Sequence, residues 1–145
     1  MKILSIEDRI NSTMLYDEVS LISAALLVPD HAFAAPDFER RVGVPQSQID
    51  EIRSRLRSMI KNRADYSEYH QLALKLNSRE ETKRFALELS LSRDEVALLA
   101  KAFREAVEFI KEKDDFQTMT GYDLADAASL QKDLDDLAVR VRSDN

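Results

Sequence analysis

The sequence predicts a mainly α-helical protein in which two pseudo-repeated helical modules pack as one domain, with a short two-stranded β element. Three observations carry this. An apolar segment opened by acids recurs about 78 residues apart, the only two glycines fall at matching places in the two copies, and one seven-residue stretch alternates apolar with polar side chains. The chain of 145 residues is long enough to bury a core without disulfides or metals.

The first match runs from Asp17 to Leu26 and from Asp94 to Phe103, where five of ten positions are identical and two more are apolar in both. The second sets Asp37-Phe38-x4-Gly43 against Asp115-Phe116-x4-Gly121, and Leu56 falls opposite Leu134. The pseudo-repeats are placed at about 10–61 and 85–141, with a connector at about 62–84 and the whole of 1–145 as one domain.

Each element has a local reason. In the second copy Ser92-Arg93-Asp94-Glu95 is a capping box, in which the Ser oxygen and the Glu carboxylate each satisfy an orphan amide. Val96, Leu99, Phe103, Ala106, Val107 and Ile110 then recur at helical spacing. A short helix at about 115–120 should end on Gly121, which takes positive φ without a Cβ penalty. A longer one follows over 124–141. The first copy predicts a helix over 16–28 stopped by Pro29, a short one over 37–42, Gly43, and a helix over 46–61. Between the copies, Tyr66, Tyr69, Leu72 and Leu76 share a helical face, and Ser78-Arg79-Glu80-Glu81 is another capping box. Phe85, Leu87, Leu89 and Leu91 alternate with Ala86, Glu88 and Ser90, which predicts a strand; its partner is expected from 3–6 or from 10–14.

Composition excludes several chemistries. With no cysteine there is no disulfide framework, thiolate metal site or Cys nucleophile, and two glycines are too few for a Gly-rich phosphate loop. His31 and His70 lie 39 residues apart without ligand spacing, and adjacent acids such as Asp135-Asp136 suit capping and solubility. The expectation is a non-enzymatic protein with no cofactor and no metal. The apolar stretch 19–35 has an acidic lead and is interrupted by Pro29-Asp30-His31, so neither export nor membrane insertion is expected, and the location is read as cytoplasmic.

The net charge of −6 is unevenly spread. Residues 40–63 hold seven basic and two acidic groups, whereas 114–136 hold seven aspartates against Lys132. Phe38-Glu-Arg-Arg-Val42-Gly43-Val44-Pro45-x3-Ile49-x2-Ile52 resembles the DNA-binding helix-turn-helix. That resemblance implies core roles for Phe38, Val42, Ile49 and Ile52, a turn at Gly43, and nucleic-acid contacts from Arg40, Arg41, Gln46, Gln48, Arg53, Arg55 and Arg57. The position after Phe38, which the motif keeps small, is Glu39.

The unit built from Ser92–Ile110, Asp115–Gly121 and Leu124–Leu137 also resembles a set of short, largely uncharacterised bacterial helical proteins with an acidic-Phe-x4-Gly segment between two helices. This resemblance implies a small helical module and no catalytic residues.

Function is therefore expected in surfaces. The candidates are an acidic face (Asp114, Asp115, Asp123, Asp126, Asp133 and Asp136) and an apolar loop after the first helix holding Leu27 and Phe33. The expected function is protein binding, as an immunity- or antitoxin-type inhibitor that neutralises a bacterial toxin. The alternative is a helix-turn-helix regulator using residues 37–61.

Overall fold

The structure, a computed structural model, describes residues 1–32, 35–61, 86–113 and 115–143. Two strands open the chain, β1 (Lys2–Ile6) and β2 (Arg9–Leu15), followed by helices α1 (Tyr16–Ala32), α2 (Ala35–Val42) and α3 (Gln46–Lys61). Beyond the connector come β3 (Ala86–Ser92), α4 (Arg93–Lys113), α5 (Phe116–Thr120) and α6 (Leu124–Ser143). The protein is mostly helical with one small antiparallel sheet.

The strand predicted at 85–91 is β3, and its partner is β2. The expected two-stranded element is in fact a sheet of three in the order β1-β2-β3. Both candidate partner segments are strands, because 3–6 folds back as a hairpin on 10–14 with its register shifted between Ile3 and Ser5. The alternation then sorts the sheet into two faces. Ile10 opposes Leu91, Ser12 opposes Leu89 and Met14 opposes Leu87, all buried against the helices. Arg9, Asn11 and Thr13 lie opposite Ser92, Ser90 and Glu88 on the other face. Arg9 donates there to the Ser90 hydroxyl (2.7 Å) and carbonyl (2.8 Å). An offset of 77 residues maps Ile10 onto Leu87 and Met14 onto Leu91, so the ladder maps onto itself about the Ser12–Leu89 pair.

Each long strand passes straight into a helix. The Ser92 amide donates to Glu95 Oε1 (2.9 Å) and the Glu95 amide to Ser92 Oγ (3.1 Å), which is the expected reciprocal box. At the head of α1 the Leu15 amide donates to Glu18 Oε1 (2.8 Å), so half of the same box is present without a hydroxyl. Such a cap contributes on the order of 1 kcal/mol.

The helix expected to stop at Pro29 instead runs to Ala32, which overturns the loop placed after Val28. Proline removes one amide donor and crowds the preceding turn, but its φ is helical, and here only three helical residues follow it. Leu27 accordingly lies on a helix, half-buried, and not in a loop. Phe33, the Tyr66–Leu76 face, His70 and the Ser78–Glu81 box lie outside the described residues.

α2 and α5 each end on a glycine in the left-handed region, Gly43 at φ 87° and Gly121 at φ 80°. The Gly43 amide donates to the Glu39 carbonyl (2.7 Å) and the Gly121 amide to the Gln117 carbonyl (2.8 Å). These are the single closing bonds of an αL cap. Asp115 caps α5 by accepting from the Thr118 amide (3.2 Å) and hydroxyl (2.9 Å).

α1 and α4 lie side by side across the sheet's buried face, α3 packs on α1, and α6 packs on α4. The short helices cross over, α2 onto α4 and α5 onto α1. One hydrophobic cluster therefore joins the earlier and later elements, with Ile22, Phe38, Leu56, Leu99, Phe103, Phe116 and Leu134 all buried in it. Burial of each such side chain contributes roughly 1.5–3 kcal/mol.

Candidate functional site

Most of the basic groups in the helix-turn-helix-like corner are engaged within the chain. Arg41 reaches from α2 to α4, donating to Glu105 (3.1 Å) and in a fork to Glu112 (2.8 and 3.1 Å). Its guanidinium also lies 5.5 Å from the centroid of the Phe109 ring. The hydrogen bond to Glu112 raises its pKa above the usual value, against an opposing effect of burial, so it stays charged throughout the working pH range. Arg53 donates to the Ser23 carbonyl (2.9 Å) on α1, and Arg55 pairs with Glu95 at the head of α4. Gln46 is buried, with its side chain donating to Asp50 (3.0 Å). Arg40 pairs with Asp37 one turn back and is exposed, as are Gln48 and Arg57.

Phe38, Val42, Ile49 and Ile52 are all buried, as the resemblance implies. Glu39, out of pattern for a close helix crossing, has another use. Its carboxylate accepts from the Gln46 amide (2.8 Å), capping the start of α3 across the corner.

The acidic residues divide by task. Asp115 caps α5, and the Asp123 carbonyl accepts the first amide bond of α6 from Ala127 (3.2 Å). At about 100° per residue, Asp126, Asp133 and Asp136 fall along one flank of α6, while Asp135 faces away and pairs with Arg104 on α4. Asp126 and Asp136 are exposed, and Asp133 is 43% exposed. Asp114 lies outside the described residues.

That flank borders the amino-terminal end of the chain. The Met1 ammonium sits on both Glu18 oxygens (2.8 and 3.0 Å) with Asp133 at 3.8 Å. Beside it a cleft of about 160 Å³ opens between the first turn of α1 and the first turns of α6. Asp17, Glu18 and Leu21 line one wall; Tyr122, Asp126, Ser129 and Leu130 line the other, and Leu15 closes it.

A second cleft, of about 480 Å³, lies between α3 and the first turn of α4. Its lining falls at corresponding positions. Asp94, Glu95 and Leu98 stand 77 residues after Asp17, Glu18 and Leu21, whereas Val44, Gln48, Glu51 and Ile52 stand 78 before Tyr122, Asp126, Ser129 and Leu130. Arg55 completes the second cleft.

Sequence reasoning missed these clefts and the site role of Asp17, Glu18 and Tyr122. A signal exists in the identity of Asp17-Glu18 with Asp94-Glu95, which the sequence offers as evidence of a repeat and not of a cleft wall. Among the described residues no group of three or more His, Asp or Glu side chains is placed to hold a metal ion, and no helix is long and apolar enough to cross a membrane. Comparison with protein-family models, with curated proteins and with solved structures found no significant match.

Proposed function

We propose that the chain is a non-enzymatic, cytoplasmic protein-binding module made of two fused copies of one strand–helix–helix–helix unit. We further propose that it acts as an immunity- or antitoxin-type inhibitor of a bacterial toxin, docking through the acidic flank of α6. The observation that carries this reading is the acidic flank of α6, on which Asp126 and Asp136 are exposed. Asp133 lies on the same flank, 3.8 Å from the Met1 ammonium. Arg53 and Arg55 of α3, with Arg41 of α2, are engaged by partners inside the chain. A one-sided acidic flank steers a basic partner and raises its association rate.

The fusion reading is supported by the self-mapping β2–β3 ladder, the matching glycine corners and the paired clefts. The test is a capture experiment from the native host, comparing the unaltered chain with a triple variant, Asp126→Lys, Asp133→Lys and Asp136→Lys. The reading expects one stoichiometric basic partner, captured by the unaltered chain and associating at least about tenfold more slowly with the variant. Equal association would remove the acidic flank from the argument.

The alternative is a nucleic-acid regulator using residues 37–61. It is supported by the buried Phe38, Val42, Ile49 and Ile52 around Gly43 and by the exposure of Arg40, Gln48 and Arg57. It requires duplex DNA binding that weakens steeply with salt and is lost in a double Arg40→Glu, Arg57→Glu variant.

A further inference from the structure

The two long strands differ in what lies along their outer edges. β1 pairs with β2 on the side away from β3 and is held beside α6 at both ends. The Met1 ammonium lies 3.8 Å from Asp133, and Arg93 donates to the carbonyls of Glu7 (3.1 Å) and Val141. Ile3 and Ile6 of β1 pack on the core. β3 is the strand matched to β2 in the proposed repeat, and among the described residues nothing pairs with its outer edge.

An open cleft of about 670 Å³ lies between β3 and α3. Its walls include Ser54, Ser58 and Met59 of α3 and Glu88 and Ser90 of β3. Among the described residues none from β2 lines it, which puts it on the far side of β3. α3 is matched to α6 in the proposed repeat, so the cleft stands where β1 stands in the other copy. Met59 is half-buried there and packs against the core. Glu88 is exposed and has no ion pair or hydrogen bond among the described residues. An unpaired edge offers its outward amides and carbonyls to another extended chain, which takes them up as an added strand. A second copy fits this slot poorly, because its β3 carries an α3 beside the same edge and the two helices would meet at the junction.

We propose that the outer edge of β3, with the flank of α3 beside it, is a docking slot for an extended segment of a protein partner. The segment adds a fourth strand antiparallel to β3, as β1 does to β2. Its inward apolar side chains lie on Met59, and an outward lysine or arginine pairs across the ladder with Glu88. This inference rests on the reading of the chain as a protein-binding module of two fused copies, and it uses a surface separate from the α6 flank.

The test follows the backbone amides of the full chain by NMR and hydrogen exchange, with end-capped peptides as probes. One alternates lysine with isoleucine, one alternates glutamate with isoleucine, and a third is the lysine peptide interrupted by proline, which cannot complete a ladder. In the free chain the alternate β3 amides that face away from β2 should exchange without protection. The lysine peptide is expected to give saturable shifts and new protection confined to residues 51–59 and 86–92. Binding of the glutamate peptide should be weaker by about threefold or more, and the proline peptide should not bind. Glu88→Lys, at an exposed position, should weaken the lysine peptide and strengthen the glutamate peptide, with its unfolding midpoint recorded alongside. Outward β3 amides already protected in the free chain would overturn the proposal, since the chain or a second copy would then cover the edge. Equal binding by the proline peptide, or affinities unchanged by Glu88→Lys, would overturn it too. If β3 gains a strand but partner capture survives charge reversal on α6, the edge stands and the acidic flank falls. If capture needs the α6 aspartates while β3 gains no protection from any peptide, the edge falls alone.

Discussion

Arg55 on α3 and Asp133 on α6 stand 78 residues apart, at matched positions of the proposed repeat, and each completes an ion pair around the glutamate that caps the neighbouring helix. Arg55 pairs with Glu95 directly. Asp133 would repel Glu18, and the Met1 ammonium stands between them, 2.8 Å from one and 3.8 Å from the other. The repulsion between the two carboxylates is thus offset by a cation from elsewhere in the chain. The α6 cleft is acidic, whereas the cleft beside α3 carries the Arg55 guanidinium.

The Glu95 carboxylate both caps α4 and binds Arg55. Glu95→Gln keeps an acceptor for the Ser92 amide but loses the ion pair, whereas Glu95→Ala loses both. Chemical denaturation should place the Gln variant about 0.5–1 kcal/mol below the parent, since Arg55 is partly solvated. The Ala variant should lie about 1–2 kcal/mol lower still, from loss of the cap. An Ala variant no less stable than the Gln variant would remove the capping role.

The glycine corners should respond alike to alanine. Gly43 and Gly121 both hold positive φ, and an added Cβ would meet only the flexible Lys101 ammonium, at 3.5 Å, in the first and nothing within 4 Å in the second. Backbone strain alone is left, about 1–2 kcal/mol for each Gly→Ala. Gly→Asn should cost less, because Asn tolerates the left-handed region. A cost at Gly43 several times that at Gly121 would point to a steric demand that these contacts lack.

Arg41 ties α2 to α4, and lysine should not replace it. A guanidinium spans Glu105 and Glu112 at once while lying on the Phe109 ring, whereas an ammonium can serve one carboxylate at a time. Arg41→Lys is expected to cost roughly 1 kcal/mol, a modest figure because Glu112 is 55% exposed. The same variant should leave capture of a protein partner unaffected. A neutral effect on the unfolding midpoint would mean that the fork adds nothing to stability.

Phe38 and Phe116 are the buried aromatics of the two Asp-Phe-x4-Gly segments. Phe38 meets Phe109 edge to face, with centroids 6.0 Å apart and planes at 71°. Each Phe→Ala should cost about 3–5 kcal/mol by lost burial and cavity formation, and each Phe→Leu distinctly less. Equal losses in thermal unfolding would support a shared core spanning both sets of elements. Loss of only one set of amides from hydrogen-exchange protection would contradict it.

The residues that spoke clearly in the sequence act over a few positions of chain. Ser92 and Glu95 announce a helix start, Gly121 a helix end, and the alternation of Leu87, Leu89 and Leu91 a strand, because each is decided by hydrogen bonds or sterics within one turn or pleat. The buried aromatics of the two acidic-Phe-x4-Gly segments were legible for the same reason. Pro29 misled because its cost depends on how much helix follows, and only one short piece does.

What remained for the tertiary structure was the fate of the charges. A run of seven basic residues reads as a phosphate-binding face until the fold brings Ser23, Glu95, Glu105 and Glu112 against Arg53, Arg55 and Arg41. Those partners lie 30 to 71 residues away in the chain, or on the opposite side of the connector, and no local pattern encodes the meeting. The same holds for the α6 cleft, whose walls come from residues 15–21 and 122–130. Local physics set the caps, corners and apolar stripes from sequence alone, whereas the packing of distant helices decided which charges are used within the fold and which face outward.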